Sequence, residues 1–104
     1  MKAIKNGKRY DTENSELIAT YDNGLGISDF RNLSEDLYRT KKGNWFLVGS
    51  GGAMTKYSIP AGNMKSGSSD NIVPITETEA FEWLQHHEET YALEKYFSEV
   101  IEEA

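Results

Sequence analysis

Gly49-Ser50-Gly51-Gly52, with Lys56 nearby, has the composition of a phosphate-cradling loop, because glycines let backbone amides approach an anion. The spacing matches neither the P-loop nor the dinucleotide fingerprint, and both require a helix to follow at once. The stretch is therefore read as a bulged turn leaving a strand. His86 and His87 are the only histidines, and Glu88 and Glu89 follow them. Adjacent residues on a helix point about 100° apart, whereas helical metal pairs sit at i, i+4 to share a face. His87 is read as a histidine at the edge of the core and His86 as a solvated one. Asp11, Glu13 and Glu16 bring carboxylates close in sequence, but acid/base catalysis needs two groups in different environments facing a pocket. Ser28-Asp29 lacks the context of a nucleophile elbow. There is no cysteine, hence no thiolate nucleophile or thiolate metal ligand and no disulfide. No catalytic residue, metal or cofactor is expected, and the chain is not read as an enzyme.

Two charged sets remain. Residues 1 to 69 hold ten Lys/Arg against seven Asp/Glu, net +3, whereas residues 70 to 104 hold one Lys against ten acids, net -9. Fields of opposite sign at the two ends attract different partners, and the acidic end repels naked nucleic acid. Lys5, Lys8, Arg9, Arg31, Arg39, Lys41, Lys42, Lys56 and Lys65 are interleaved with Tyr10, Tyr38, Trp45 and Tyr57. Such a strand face can bind single strands or RNA, but with a net charge of only +3 the stretch is read first as a solvated sheet face. In the acidic part, Glu77 and Glu79 are placed in the first turn of one helix and Glu88 and Glu89 near the first turn of the next, where the helix dipole favours them. Glu94, Glu99, Glu102 and Glu103 are the candidate partner-binding residues. Glu99, Glu102 and Glu103 would oppose the dipole of a last turn by ~0.3 to 1 kcal/mol each. A frayed terminal turn is the structural reading; an anionic surface offered to a basic groove is the functional one.

The elements that must position these residues follow from the same string. At 104 residues the chain suits one domain, 1-104, able to hide about 65% of its unfolded surface. Asn6-Gly7 between Ala3 to Lys5 and Lys8 to Tyr10 supplies the two positive φ angles of a tight hairpin. Leu17 to Tyr21 reads as a strand, and Asp36 to Thr40 and Asn44 to Gly49 as a second hairpin about Lys41-Lys42-Gly43. Trp45 to Val48, apolar on both sides, suits a central strand. Ala53 to Ile59 is a further candidate strand, Pro60 to Asn71 a mobile loop, and Ile72 to Ile75 an edge strand that tolerates Pro74. Thr76 and Glu79 form a capping box, and Ala80, Trp83, Leu84 and His87 define the buried face of the first helix. Leu93, Tyr96, Phe97, Val100 and Ile101 define a second helix running to the end. The expected fold is α+β: an antiparallel sheet of four to five strands over residues 1-75, followed by two C-terminal helices packed on it over 76-104. No leader and no membrane span is expected, and the interior of a cell, the cytoplasm, is the expected location.

Three blocks of residues carry a resemblance: Lys8-Arg9-Tyr10-Asp11-Thr12-Glu13, Leu37-Tyr38-Arg39-Thr40-Lys41-Lys42-Gly43-Asn44-Trp45-Phe46-Leu47, and Gly51-Gly52-Ala53-Met54-Thr55-Lys56-Tyr57. With Ile72 to Ile75 and Glu79-Ala80 to Trp83-Leu84, they resemble a family of small proteins carried on mobile elements and phages of Gram-positive bacteria. That family is associated with anti-CRISPR inhibitors of type II effector nucleases, staphylococcal ones included. The resemblance implies a protein of the bacterial cytoplasm that binds a guide-RNA-loaded nuclease directly and blocks target DNA binding or cleavage. It places no functional residue, and the second helix lies outside the shared blocks. The alternative expectation is a small nucleic-acid-binding accessory protein acting through the basic, aromatic strand face.

Overall fold

The computed structural model describes residues 1-104. Strands β1 (Lys2–Lys5) and β2 (Lys8–Asp11) form the expected first hairpin. Asn6 and Gly7, with φ of 52° and 76°, supply its left-handed turn. The hairpin is a separate two-stranded sheet, not hydrogen-bonded into the main one. The main sheet consists of β3 (Ser15–Asp22), β4 (Leu33–Thr40), β5 (Trp45–Gly51) and β8 (Ser68–Ile75), antiparallel and in that order across the sheet. β5 is inner and wholly buried from Trp45 to Val48. β8 lies at the edge, where the missing amide of Pro74 leaves the ladder intact. β3 is the other edge, and its register on β4 shifts between Leu17 and Ala19.

Alternation sorts the side chains onto two faces. Leu37, Trp45 and Leu47 pack against Ala80, Trp83 and Leu84 of helix α1 (Glu77–His86) and Ala92 and Phe97 of helix α2 (Thr90–Phe97). On the opposite face Phe46, Val48 and Ile72 are covered by Tyr10 and Ala3 of the first hairpin. The fold is thus α+β: a four-stranded antiparallel sheet with two helices on one face. No helix is long and apolar enough to cross a membrane.

Three expectations are corrected. Residues 53-58 form turns rather than a strand, because their amides are engaged elsewhere: Met54 donates to the Phe30 carbonyl at 2.8 Å, Thr55 to Gly52 at 3.1 Å and Ser58 to Thr55 at 3.1 Å. The stretch from Pro60 to Asn71 is not a plain loop. It belongs to a small hairpin of β6 (Ile59–Ala61) and β7 (Met64–Ser66), turned by Gly62 at φ 65°, and to the start of β8. Helix α2 stops at Phe97, followed by one 3-10 turn over Ser98–Val100, and Ile101 is extended. The apolar stripe has nothing to cover beyond Phe97, which stacks on Trp45 at 5.5 Å. Val100 and Ile101 stay 61% and 43% exposed.

At the start of α1 the Thr76 hydroxyl accepts from the Glu79 amide, and the Glu79 carboxylate accepts from the Thr76 amide, the expected capping box. Glu77 and Glu79 occupy that first turn as expected. Glu88 and Glu89 lie next to the first turn of α2, as expected, though not within it: Glu88 has a φ of 56°, and Glu89 is the N-cap, its side chain making no capping bond.

Candidate functional site

The one charged side chain in the interior is Glu35, 3% exposed. It follows from alternation along β4, where Leu33, Glu35 and Leu37 take the face towards the helices. Glu35 stands opposite Tyr21 on β3 and Gly49 on β5. Trp83 Nε1, from α1, donates to one carboxylate oxygen at 3.0 Å. The Tyr57 hydroxyl donates to the other, which also lies 2.6 Å from Lys56 Nζ. Burial pushes the Glu35 carboxyl up, but the hydrogen bonds from Lys56, Tyr57 and Trp83 and the Lys56 charge outweigh it and hold the pKa below the ordinary value. Burial and the carboxylate push the Tyr57 phenol far up, so it stays a donor. Both oxygens of Glu35 are occupied, which makes it a clamp joining sheet, helix and the 54-57 turn. As a base it would first have to give up a donor.

Over the clamp, His87 stacks on Tyr21 at 4.0 Å between centroids and meets Trp83 edge-on at 4.4 Å, the core-edge position expected of it. Burial, with the charge of His86 second, lowers its pKa. His86 is exposed, as expected. The two rings lie 4.9 Å apart and edge to face.

The glycine turn does the work of close packing. A Cβ at residue 49 would fall within the Tyr57 ring, one at 51 against the Thr55 side chain, and one at 52 against the Phe30 backbone. The Gly52 amide is bonded to Asn32 at 3.0 Å. β5 meets β8 with a register shift between Gly49 and Gly51, the bulge expected there. Asp11 accepts from the Glu13 amide at 3.0 Å and from Asn14 at 2.9 Å, which holds its carboxyl low. Asp29 accepts from the Arg31 amide at 2.8 Å. Glu16 accepts from the Tyr96 hydroxyl at 2.6 Å.

Of the aromatics interleaved with the basic residues, Tyr10, Trp45 and Tyr57 are buried, and half-buried Tyr38 stacks on Phe46 at 5.2 Å. Their rings form core rather than an open platform for bases. The cations are dispersed: Lys56 pairs with Glu35, Arg31 with Asp29 at 3.4 Å, and Arg39 lies against the Trp45 and Tyr96 rings at 5.5 and 5.6 Å.

Glu94 lies on α2, Glu99 in the 3-10 turn, and Glu102 and Glu103 past it. All four are exposed, and none takes part in an ion pair or side-chain hydrogen bond. Because helical backbone ends at Val100, Glu102 and Glu103 are not held against a helix dipole, which removes the penalty expected of them; Glu99 stays in the 3-10 turn that continues α2. Lys95, the one base of this end, points to Glu16 at 4.0 Å. The structure therefore holds a buried carboxylate clamp, which the sequence reading missed, and an uncompensated anionic end, which it singled out. Comparisons with protein-family models, with curated protein sequences and with solved structures each return no match.

Proposed function

We propose that this protein acts by direct binding to a basic surface of another protein, with Glu94, Glu99, Glu102 and Glu103 as its anionic contact. The observation that supports this reading is the charge state of the C-terminal end. Residues 77 to 104 carry nine glutamates and one lysine, and that lysine faces a carboxylate of β3. Carboxylates with no partner within the protein stay available to attract a cationic groove. The family resemblance supplies the partner: a guide-RNA-loaded type II CRISPR effector nuclease, which holds nucleic acid in a positively charged channel. The four glutamates then act as partial phosphate mimics in that channel, and the protein is an anti-CRISPR inhibitor rather than an enzyme.

The test is co-purification with guide-loaded type II nucleases, with and without target DNA, at low and raised salt. A complex that weakens with salt and is prevented by bound target supports the reading. No complex with any member of the panel overturns the nuclease assignment. Unchanged inhibition after reversal of all four glutamates to lysine overturns the mimicry.

A further inference from the structure

A concavity of about 950 Å³ runs along α1 above the edge strand β8 and lies outside the acidic tail. Its helical wall is a single stripe: Glu79, Glu82, Trp83 and His86 fall at i, i+3, i+4 and i+7. The opposite wall is the 54-57 turn, where Met54 is 71% exposed, and Val73 of β8 contributes further open apolar surface. The charges do not balance. The two cations of the groove, Lys56 and Arg31, are each matched by a carboxylate, Glu35 and Asp29. Glu82 has no partner. Glu79 accepts one amide bond at the helix cap and has no ion-pair partner. His87, at the inner end, is biased towards its neutral form by burial. The groove is thus half apolar and, through the α1 carboxylates, anionic.

We infer that this groove is a second contact for the partner polypeptide and receives an extended segment in which an Arg or Lys adjoins a large apolar side chain. The inference rests on the protein-binding reading above and names the chemistry of a contact separate from the tail. The cation pairs with Glu82 and Glu79, and the apolar side chain covers Met54, Val73 and the Trp83 edge. Sign and polarity select this occupant: a nucleic-acid strand meets two unpaired carboxylates, and an acidic peptide meets the same repulsion.

The experiment uses the full chain, labelled for amide and indole NMR, titrated with two short blocked peptides, Ala-Arg-Phe-Ala and Ala-Glu-Phe-Ala. The expected result is a saturable shift of the Trp83 indole and Val73 amide signals with the arginine peptide, and binding about tenfold weaker with the glutamate peptide, the size of one modest charge pair. E82K and the milder E82Q lose affinity in that order, with unchanged helical circular dichroism. Equal response to both peptides, or no saturable shift at millimolar peptide, overturns the inference. Reversal of the four tail glutamates leaves peptide binding intact. Peptide binding without nuclease binding keeps the groove and removes the nuclease reading; nuclease binding without peptide binding does the reverse.

Discussion

The ring of Tyr57 lies over the α-carbon of Gly49, in the space a β-carbon there would need. Gly49 faces Glu35 across the ladder, so the missing side chain is what lets the phenol reach the buried carboxylate. The ring cannot easily move aside, because the Tyr57 carbonyl accepts from Ser68 and its amide donates to Thr55 at 3.2 Å. Gly49→Ala is expected to cost about 2 to 4 kcal/mol, from overpacking together with a lost buried hydrogen bond. Urea unfolding measures it, and a cost near that of an ordinary surface change would contradict the packing described.

The three donors around Glu35 should be unequal. Glu35→Ala leaves the Tyr57 hydroxyl and the Trp83 indole without their acceptor and is expected to cost about 3 kcal/mol or more. Tyr57→Phe should cost about 1 to 3 kcal/mol. Lys56→Ala should cost under about 1 kcal/mol, since the lysine side chain is 55% exposed and water screens its pair. The order from chemical denaturation, rather than any single value, is the check.

Acid should destabilise the fold in two stages. The pKa of His87 is lowered from 6.5, first by burial and then by His86, so folding favours its neutral form. That contribution is complete above about pH 6.5 and is lost as pH falls through the lowered value. Glu35 is lowered from 4.5, so its contribution is present above about pH 4.5 and is lost as pH falls through its own lowered value. Urea midpoints measured from neutral pH downward should show both declines. His87→Phe, which keeps a ring against Tyr21, should remove the upper one and leave the lower.

Reversal of Glu94, Glu99, Glu102 and Glu103 to lysine should change stability by no more than about 0.5 kcal/mol per position, as expected for exposed positions without partners. The same variant should bind a basic partner more weakly and flatten the salt dependence. Paired denaturation and binding measurements separate the two effects, and a large loss of stability would show that these carboxylates hold the fold.

Features set by neighbouring residues were legible in the sequence. Asn6-Gly7 demands a hairpin, Thr76 with Glu79 caps a helix, and the unbroken run Trp45 to Val48 needs cover on both faces. What depends on distant chain was not. Tyr57 reaches Gly49 only because the 53-58 backbone is turned back by bonds to Phe30 and Gly52. Periodicity extends α2 through Ile101, but it takes no account of where the sheet beneath it ends. Glu35 did leave a signal, a charge at the parity of Leu33 and Leu37 on one strand, and reading β4 by alternation would have found it. The acidic end was readable because charge needs no fold to be counted.

The irregular register of β3 on β4 bears on how copies of the molecule treat one another. The outer margin of β3 offers free amides and carbonyls, the usual template for a foreign strand. The unmatched residue between Leu17 and Ala19 breaks the even row such a strand would need, and Glu16 and Asp22 near its two ends place like charges opposite one another in an antiparallel copy. The open margin is therefore a poor seed for sheet growth, and crowding at high concentration should not convert the protein into fibres by that route.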